Sequence, residues 1–112
     1  MEFLFIISHD GAFRPDEALL SGIRSWIEAA EARGVRIGGK PLEPASAAVT
    51  VRLRGGEERI EHAPFSSSEE QMCAYELVRC GGIDEAVALA KTHPMARAAT
   101  IEVRPVWGAM QV

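Results

Sequence analysis

The amino-acid sequence predicts an α+β fold in the order β-α-β-β-(β)-α-β, and three observations carry that reading. Apolar residues recur at helical spacing in two segments, Asp16 to Arg33 and Asp84 to Lys91. Runs of strand length, continuous or alternating, flank and separate them. Glycine or proline marks most of the junctions. This order is the split βαβ, ferredoxin-like pattern with an added hairpin.

Each element has its own signal. Phe3 to Ile7 is a continuous apolar run, as expected where both faces of a strand are covered. SHDGAFRP breaks it. Leu19, Ile23, Trp26, Ile27 and Ala30 then form a helical stripe, with Asp16 and Glu17 favourably placed against the N-terminal dipole and Gly34 as the stop. Val35 to Ile37 reads as a short strand and Lys40 to Pro44 as an exposed turn. Ala48 to Arg54 alternates, Gly55-Gly56 is a hairpin signal, and Glu58 to His62 returns as the second arm. Met72 to Cys80 is a strand ended by Gly81-Gly82. Asp84 is placed to cap the second helix, Pro94 stops it, and Thr100 to Val106 alternates again.

At 112 residues the chain is one domain, residues 1–112, able to bury roughly 65% of its unfolded surface. The net charge of -4 and the absence of a Lys/Arg cluster argue against nucleic acid as a partner. Arg52, Arg54 and Arg59 are interrupted by Glu57, Glu58 and Glu61, as on a solvated hairpin. The longest apolar run, FLFII, is far shorter than the roughly 20 residues of a membrane helix, so no membrane association is expected. The N-terminus lacks a basic region, so no secretory signal is read. Cys73 and Cys80 fall at odd separation in one strand, point to opposite faces and cannot pair. Free thiols make a cytoplasmic location the default expectation.

Two helices cover one face of the sheet, and the other needs a cover from elsewhere. Exposing Phe3, Phe5 or Ile7 there would cost roughly 2 kcal/mol for each side chain. A second copy laying its own sheet across that face is the economical solution, so a homodimer enclosing a shared interior is expected.

The segment VRLRGGEERIEHAPFSSSEEQMCAYELVRCGGIDEAVALAKTHP, followed by IEVRPV, resembles the YCII-related family and its DGPF branch. Pro64 and Phe65, Glu70 and Gln71, Tyr75 and the final EVRP match that branch. His62-Ala63 stands where the branch has Asp-Gly, and Ser66 to Ser68 replace Ala-Glu-Thr. The resemblance implies a dimeric α+β barrel, with no activity assigned for most relatives. DGPF-branch relatives often occur beside alternative sigma factors, which implies a regulatory role. Some YCII relatives are thought to use a His-Asp pair, the histidine lying in Arg-Pro-x-His. Here Arg14-Pro15-Asp16-Glu17 puts a glutamate in its place, so the pair does not transfer.

The candidate ligand-binding residues are His9, Asp10, His62, Glu76 and Arg104. His9 reads as a turn histidine or a general base, although an adjacent Asp10 cannot easily orient it. His62 reads as an exposed loop residue or as a pocket-lining imidazole. Pro64 is expected to fix a rigid corner that tucks Phe65 into the core. His93 reads as a helix-terminal dipole partner. Glu102 and Arg104 share a strand face, where Arg104 either bridges to Glu102 or Glu76 or holds an anionic ligand. Tyr75, on the other face from Glu76, is expected to pack under a helix. Three histidines and two cysteines share no HxH or CxxC spacing, so no metal is expected, and no cofactor fingerprint is present. Two functions follow. One is a small-molecule-binding, regulatory homodimer; the other is a lyase-like enzyme on a small aromatic or carbonyl compound, with a histidine base.

Overall fold

The computed structural model describes residues 1–108. Its four-stranded antiparallel sheet is built from β1 (Glu2–His9), β2 (Arg36–Pro41), β5 (Gln71–Arg79) and β6 (Thr100–Pro105), in the spatial order β2-β5-β1-β6. Two further strands, β3 (Thr50–Arg54) and β4 (Glu57–Glu61), form a hairpin of their own. Helix α1 (Glu17–Ala32) connects β1 to β2, while α2 (Ile83–Thr92) and the single turn α3 (Met95–Ala98) connect β5 to β6. The fold is therefore α+β and ferredoxin-like, as the order of elements in the sequence implies.

Local chemistry explains the helix boundaries. The Asp16 carboxylate accepts the Leu19 backbone N–H at 2.8 Å, closing the first turn of α1. Its last turn closes with Val35 N–H on Ala30 O and Gly34 N–H on Glu31 O, both 3.0 Å. In α2 the expected cap by Asp84 is not what forms. Gly82 is the capping residue, Asp84 lies within the first turn, and Glu85 reaches back to accept the Gly81 N–H at 2.8 Å. A glutamate three residues into the helix has the reach for that bond; Asp84 is already inside the helix.

The core lies between the sheet and the helices. Phe3, Phe5 and Ile7 alternate into it with Val78, and Trp26, Ala30, Ala86, Leu89 and Ala90 meet them from the helices. The expectation of an uncovered Phe3, Phe5 or Ile7 is thus reversed: these three are 0–1% exposed beneath the helices. The outward face carries Leu4 and Ile6, opposite Leu77 and Tyr75 of β5 and Arg104 and Glu102 of β6. Phe3 to Ile7 is apolar at every position, so the pattern alone does not say which half faces inward.

Two further expectations change. Val35 to Ile37 and the following turn are replaced by one strand, Arg36–Pro41, which pairs with β5 across an irregularity at Ile37. Gly38-Gly39 carries no hydrophobic pattern, so the strand has no signature there. Phe65 is 79% exposed and does not enter the core of the chain. The corner itself is ordered by other means. Thr50 donates its hydroxyl to Ala63 O, and the Gln71 side-chain amide donates to Ser66 O and Ser68 O, all at 2.8 Å.

Gly39 is where the sheet cannot accept a side chain. A Cβ there would collide with Glu76 Oε1 and the Tyr75 carbonyl, whereas at Gly38 it would meet nothing within 4 Å. Gly39→Ala is expected to lower stability by roughly 1–3 kcal/mol through overpacking, and Gly38→Ala by under roughly 0.5 kcal/mol. Urea denaturation midpoints check this, and equal losses at the two glycines would contradict it.

Candidate functional site

Glu76 and its partners form the most chemically distinctive cluster in the chain. Strand alternation sends Glu76 to the helix side of β5, opposite Phe5 in the register with β1. Its side chain is 5% exposed. Arg36 Nε donates to Glu76 Oε1 at 2.8 Å, and the guanidinium also donates to Gly39 O at 3.1 Å. His93 Nε2 stands 3.2 Å from Glu76 Oε2. The Met95 backbone N–H donates to His93 Nδ1 at 3.1 Å, so the ring proton resides on Nε2 and is given to the carboxylate. Both oxygens of the buried carboxylate are thereby satisfied, and the described residues contain no unsatisfied buried side-chain polar atom.

The surroundings hold this cluster in place. The Trp26 ring lies 4.5 Å from the His93 ring and 6.4 Å from Phe5. Trp26 Nε1 donates to Thr92 Oγ1 at 2.8 Å, which in turn donates to Leu89 O. Arg36 extends the network outward to Glu31 at 3.4 Å.

Beside it, a cleft of about 350 Å³ opens between α1 and the β2–β5 side of the sheet. Leu19, Ile23 and Ile27 of α1 form one wall, and Ile7 and the Arg36–Glu76–His93 cluster line it from the other elements. That volume is at the small end of the range for ligand sites. His9 also lines the cleft, stacked on Phe13 with centroids 4.4 Å apart. Its Nδ1 donates to the Asp10 carbonyl at 2.9 Å, which leaves Nε2 for other contacts.

The sequence candidates separate accordingly. His9 and Glu76 reach the cleft. Asp10 is exposed and accepts the Ala12 N–H at 2.9 Å, a turn-forming role. His62 is exposed just past β4 and does not line the cleft. Arg104 Nε donates to Glu102 at 2.7 Å on the outward face, so the structural bridge forms within β6 itself. Glu76 is not its partner, because strand alternation puts Glu76 on the other side of the sheet. Tyr75 accordingly belongs to the outward face, opposite Ile6, and the expectation that it packs under a helix is reversed.

Sequence reasoning missed His93 and Arg36. His93 is 2% exposed, and the only hint of its role was its place just after α2, before Pro94. Arg36 gave no signal, since it lies in a short strand beside two glycines and its partner Glu76 is 40 positions away. The thiols are not candidate nucleophiles. Burial raises the Cys73 thiol above its ordinary value of 9.0, and burial, aided by Glu85, raises that of Cys80.

A profile of the YCII-related domain matches residues 1–109. The chain belongs to that family. An uncharacterized protein of Rhizobium meliloti (strain 1021) is 36% identical over 67 residues, which cover 58% of this chain. The match spans about half the length of that relative, 54%. Neither comparison assigns an activity, so for this YCII-related chain the site rests on its own geometry. No helix among the described residues is long and apolar enough to cross a membrane, and they contain no cluster of three or more potential metal ligands.

Glu76→Leu is expected to cost about 3–5 kcal/mol by stranding the Arg36 charge. Arg36→Met combined with Glu76→Leu is expected to lose less than Glu76→Leu alone, as read from chemical denaturation. Additive losses would show that the two side chains do not act as a pair.

The raised thiols have a definite sign. They lower the thiolate fraction at pH 8, and they contribute stability that is complete below pH 9.0 and is lost as pH rises through the higher folded values. Labelling by a disulfide reagent at pH 8 should run at least about tenfold slower in native than in urea-unfolded protein. Equal rates would contradict the burial argument.

Proposed function

We propose that this YCII-related chain binds a small, largely apolar molecule in the cleft under α1. The observation that carries this reading is the cleft itself. Three consecutive turns of α1 present Leu19, Ile23 and Ile27 to it, and although Ile27 also packs against the core, the cleft stays open along this wall. A void of this size lined by aliphatic groups forgoes dispersion contacts that a ligand would restore. A role as a ligand-responsive regulator agrees with the resemblance to the DGPF branch carried by Pro64-Phe65 and EVRP. The free cysteines agree with a reducing, cytoplasmic setting.

The same proposal includes a homodimer formed through the outward face of the sheet. Leu4, Ile6, Leu77 and Tyr75 sit there half-buried, flanked by the Glu102–Arg104 and Glu2–Arg79 ion pairs. A second copy across this strip would remove it from water and give the pairs a drier surrounding.

His9 supports a second reading, proton transfer on a bound aromatic or carbonyl compound. Its Nε2 is not used by the turn, and the ring lines the cleft. Binding remains the leading reading because His62 and Arg104 do not converge on that histidine, and Asp10 is engaged in the turn.

Saturation-transfer NMR against a set of small aromatic and aliphatic compounds should yield ligands that compete for one site. Ile23→Trp, which fills the cleft, should abolish their signals. Ligands that persist in that variant, or an empty screen, would overturn the cleft as the binding site.

Light scattering at low micromolar concentration should give about twice the 12.1 kDa chain mass. Ile6→Glu should shift it to the single-chain value. A folded wild-type monomer would remove the dimer.

A further inference from the structure

We propose that the β3–β4 hairpin is an arm that clasps a second copy of this chain, laying its apolar side across the outward sheet face of that copy. This rests on the homodimer reading above and adds the element that closes the dimer. Three observations lead to it.

The first is that the hairpin is turned inside out. Strand alternation and the pairing of Val51 with Ile60 put Val49, Val51, Leu53 and Ile60 on one side of it. These side chains are 50–66% exposed. The other side is polar, and it is the side that the chain holds. Thr50 donates to Ala63 O there, and Arg52 donates to Glu61 and to Phe65 O. A two-stranded ribbon with one apolar side ordinarily packs that side and leaves the polar one in water. Here the apolar side faces away from its own chain.

The second is continuity with the sheet. Val49 and Phe65 line a groove at the base of the hairpin together with Leu42 and Met72. Met72 pairs with Ser8, the neighbour of the buried Ile7, so it belongs to the outward face with Ile6 and Tyr75. Arm, groove and sheet strip therefore form one apolar surface. The arm and groove alone hold seven of the fourteen large apolar side chains exposed among the described residues. That concentration marks this surface, rather than the rest of the molecule, as the interface.

The third says what covers it. The chain is 19 Å thick along its shortest axis, against 48 and 39 Å along the others, so a copy stacked on the sheet gives a rounder body. The charges on the two surfaces also match. Glu58 stands on the apolar side of the arm, opposite Leu53, and Lys40 stands on the outward sheet face, opposite Tyr75. Both are exposed, and neither makes an ion pair among the described residues. An acidic group on the arm and a basic group on the strip complement each other, and two-fold symmetry makes the contact twice.

Sedimentation velocity over a dilution series of the intact chain tests this by reading the dimer dissociation constant. Leu53→Asp should raise it at least about tenfold, as expected for a charge placed in an apolar contact. Leu53 is 66% exposed, so the far-UV circular dichroism should match the wild type and separate this loss from misfolding. Glu58→Lys and Lys40→Glu should each weaken the dimer by about fivefold or more, because like charges then face each other. An equimolar mixture of those two variants should recover the wild-type constant, since both contacts in the mixed dimer are Lys–Glu. A pairing within one chain would not be rescued by mixing. A wild-type constant in Leu53→Asp would overturn the clasp and leave the sheet-face dimer standing. A mixture no tighter than its components would overturn the seating of the arm on the Lys40 face. A wild-type monomer would overturn both the dimer and the arm.

Discussion

A carboxylate buried beneath the helices is the constraint around which this molecule is arranged. Leaving Glu76 unpaired there would be far costlier than any single packing defect in the core, so its partners are obligatory. Arg36 must come from β2, which requires β2 to lie against β5 with the glycine at position 39 in close approach. His93 must present Nε2, which requires the Met95 N–H to occupy Nδ1, and that in turn fixes the turn between α2 and α3. One ionised side chain therefore ties together the edge strand, a central strand and the crossover to the last strand. Trp26 brings α1 into the same assembly through its contact with His93.

The cleft follows from this arrangement. Next to the Trp26 and Phe5 contacts the helix and sheet close well, and Ala30, Ala86 and Ala90 allow close approach. Toward the N-terminal half of α1 the same helix faces the ion cluster, whose polar groups are already matched to one another. The aliphatic side chains of α1 gain no polar partner there, and the gap stays open. Stability and the open cleft thus share one cause, and the cluster gives the cleft a rigid wall.

The hairpin obeys a different logic. Val51 faces Ile60 across it, and Leu53 stands further along β3, yet these side chains are half or more exposed. The radius of gyration, 15.9 Å, exceeds the roughly 13 Å of a closely packed domain of this length, in keeping with an arm that stands away from the body. Its turn is set by Gly55 and Gly56 at φ of 55° and 82°, the conformation that two-residue hairpin loops demand. The serine-rich corner after it is held by backbone and amide hydrogen bonds, which is why Phe65 is not needed as an anchor.

The sequence alone determined most of the elements, the full length of β2 and the cap of α2 excepted, because capping, glycine stops and the two hydrophobic periods act over a few residues. Asp16, Gly34 and Gly55-Gly56 were legible for that reason, and so was the α+β class that their order implies. Tertiary structure decided which face of β1 turned inward, since Phe3 to Ile7 is apolar at every position and either half could have been buried. That choice put Glu76 inside and Tyr75 outside, the reverse of what local reading gave. It also decided the site. Arg36, Glu76 and His93 lie 40 and 17 positions apart, and no local pattern relates them. Only the pairing of β2 with β5 and the return of the chain after α2 bring the three groups within hydrogen-bonding distance. A long-range electrostatic match of this kind leaves no period or spacing in the chain.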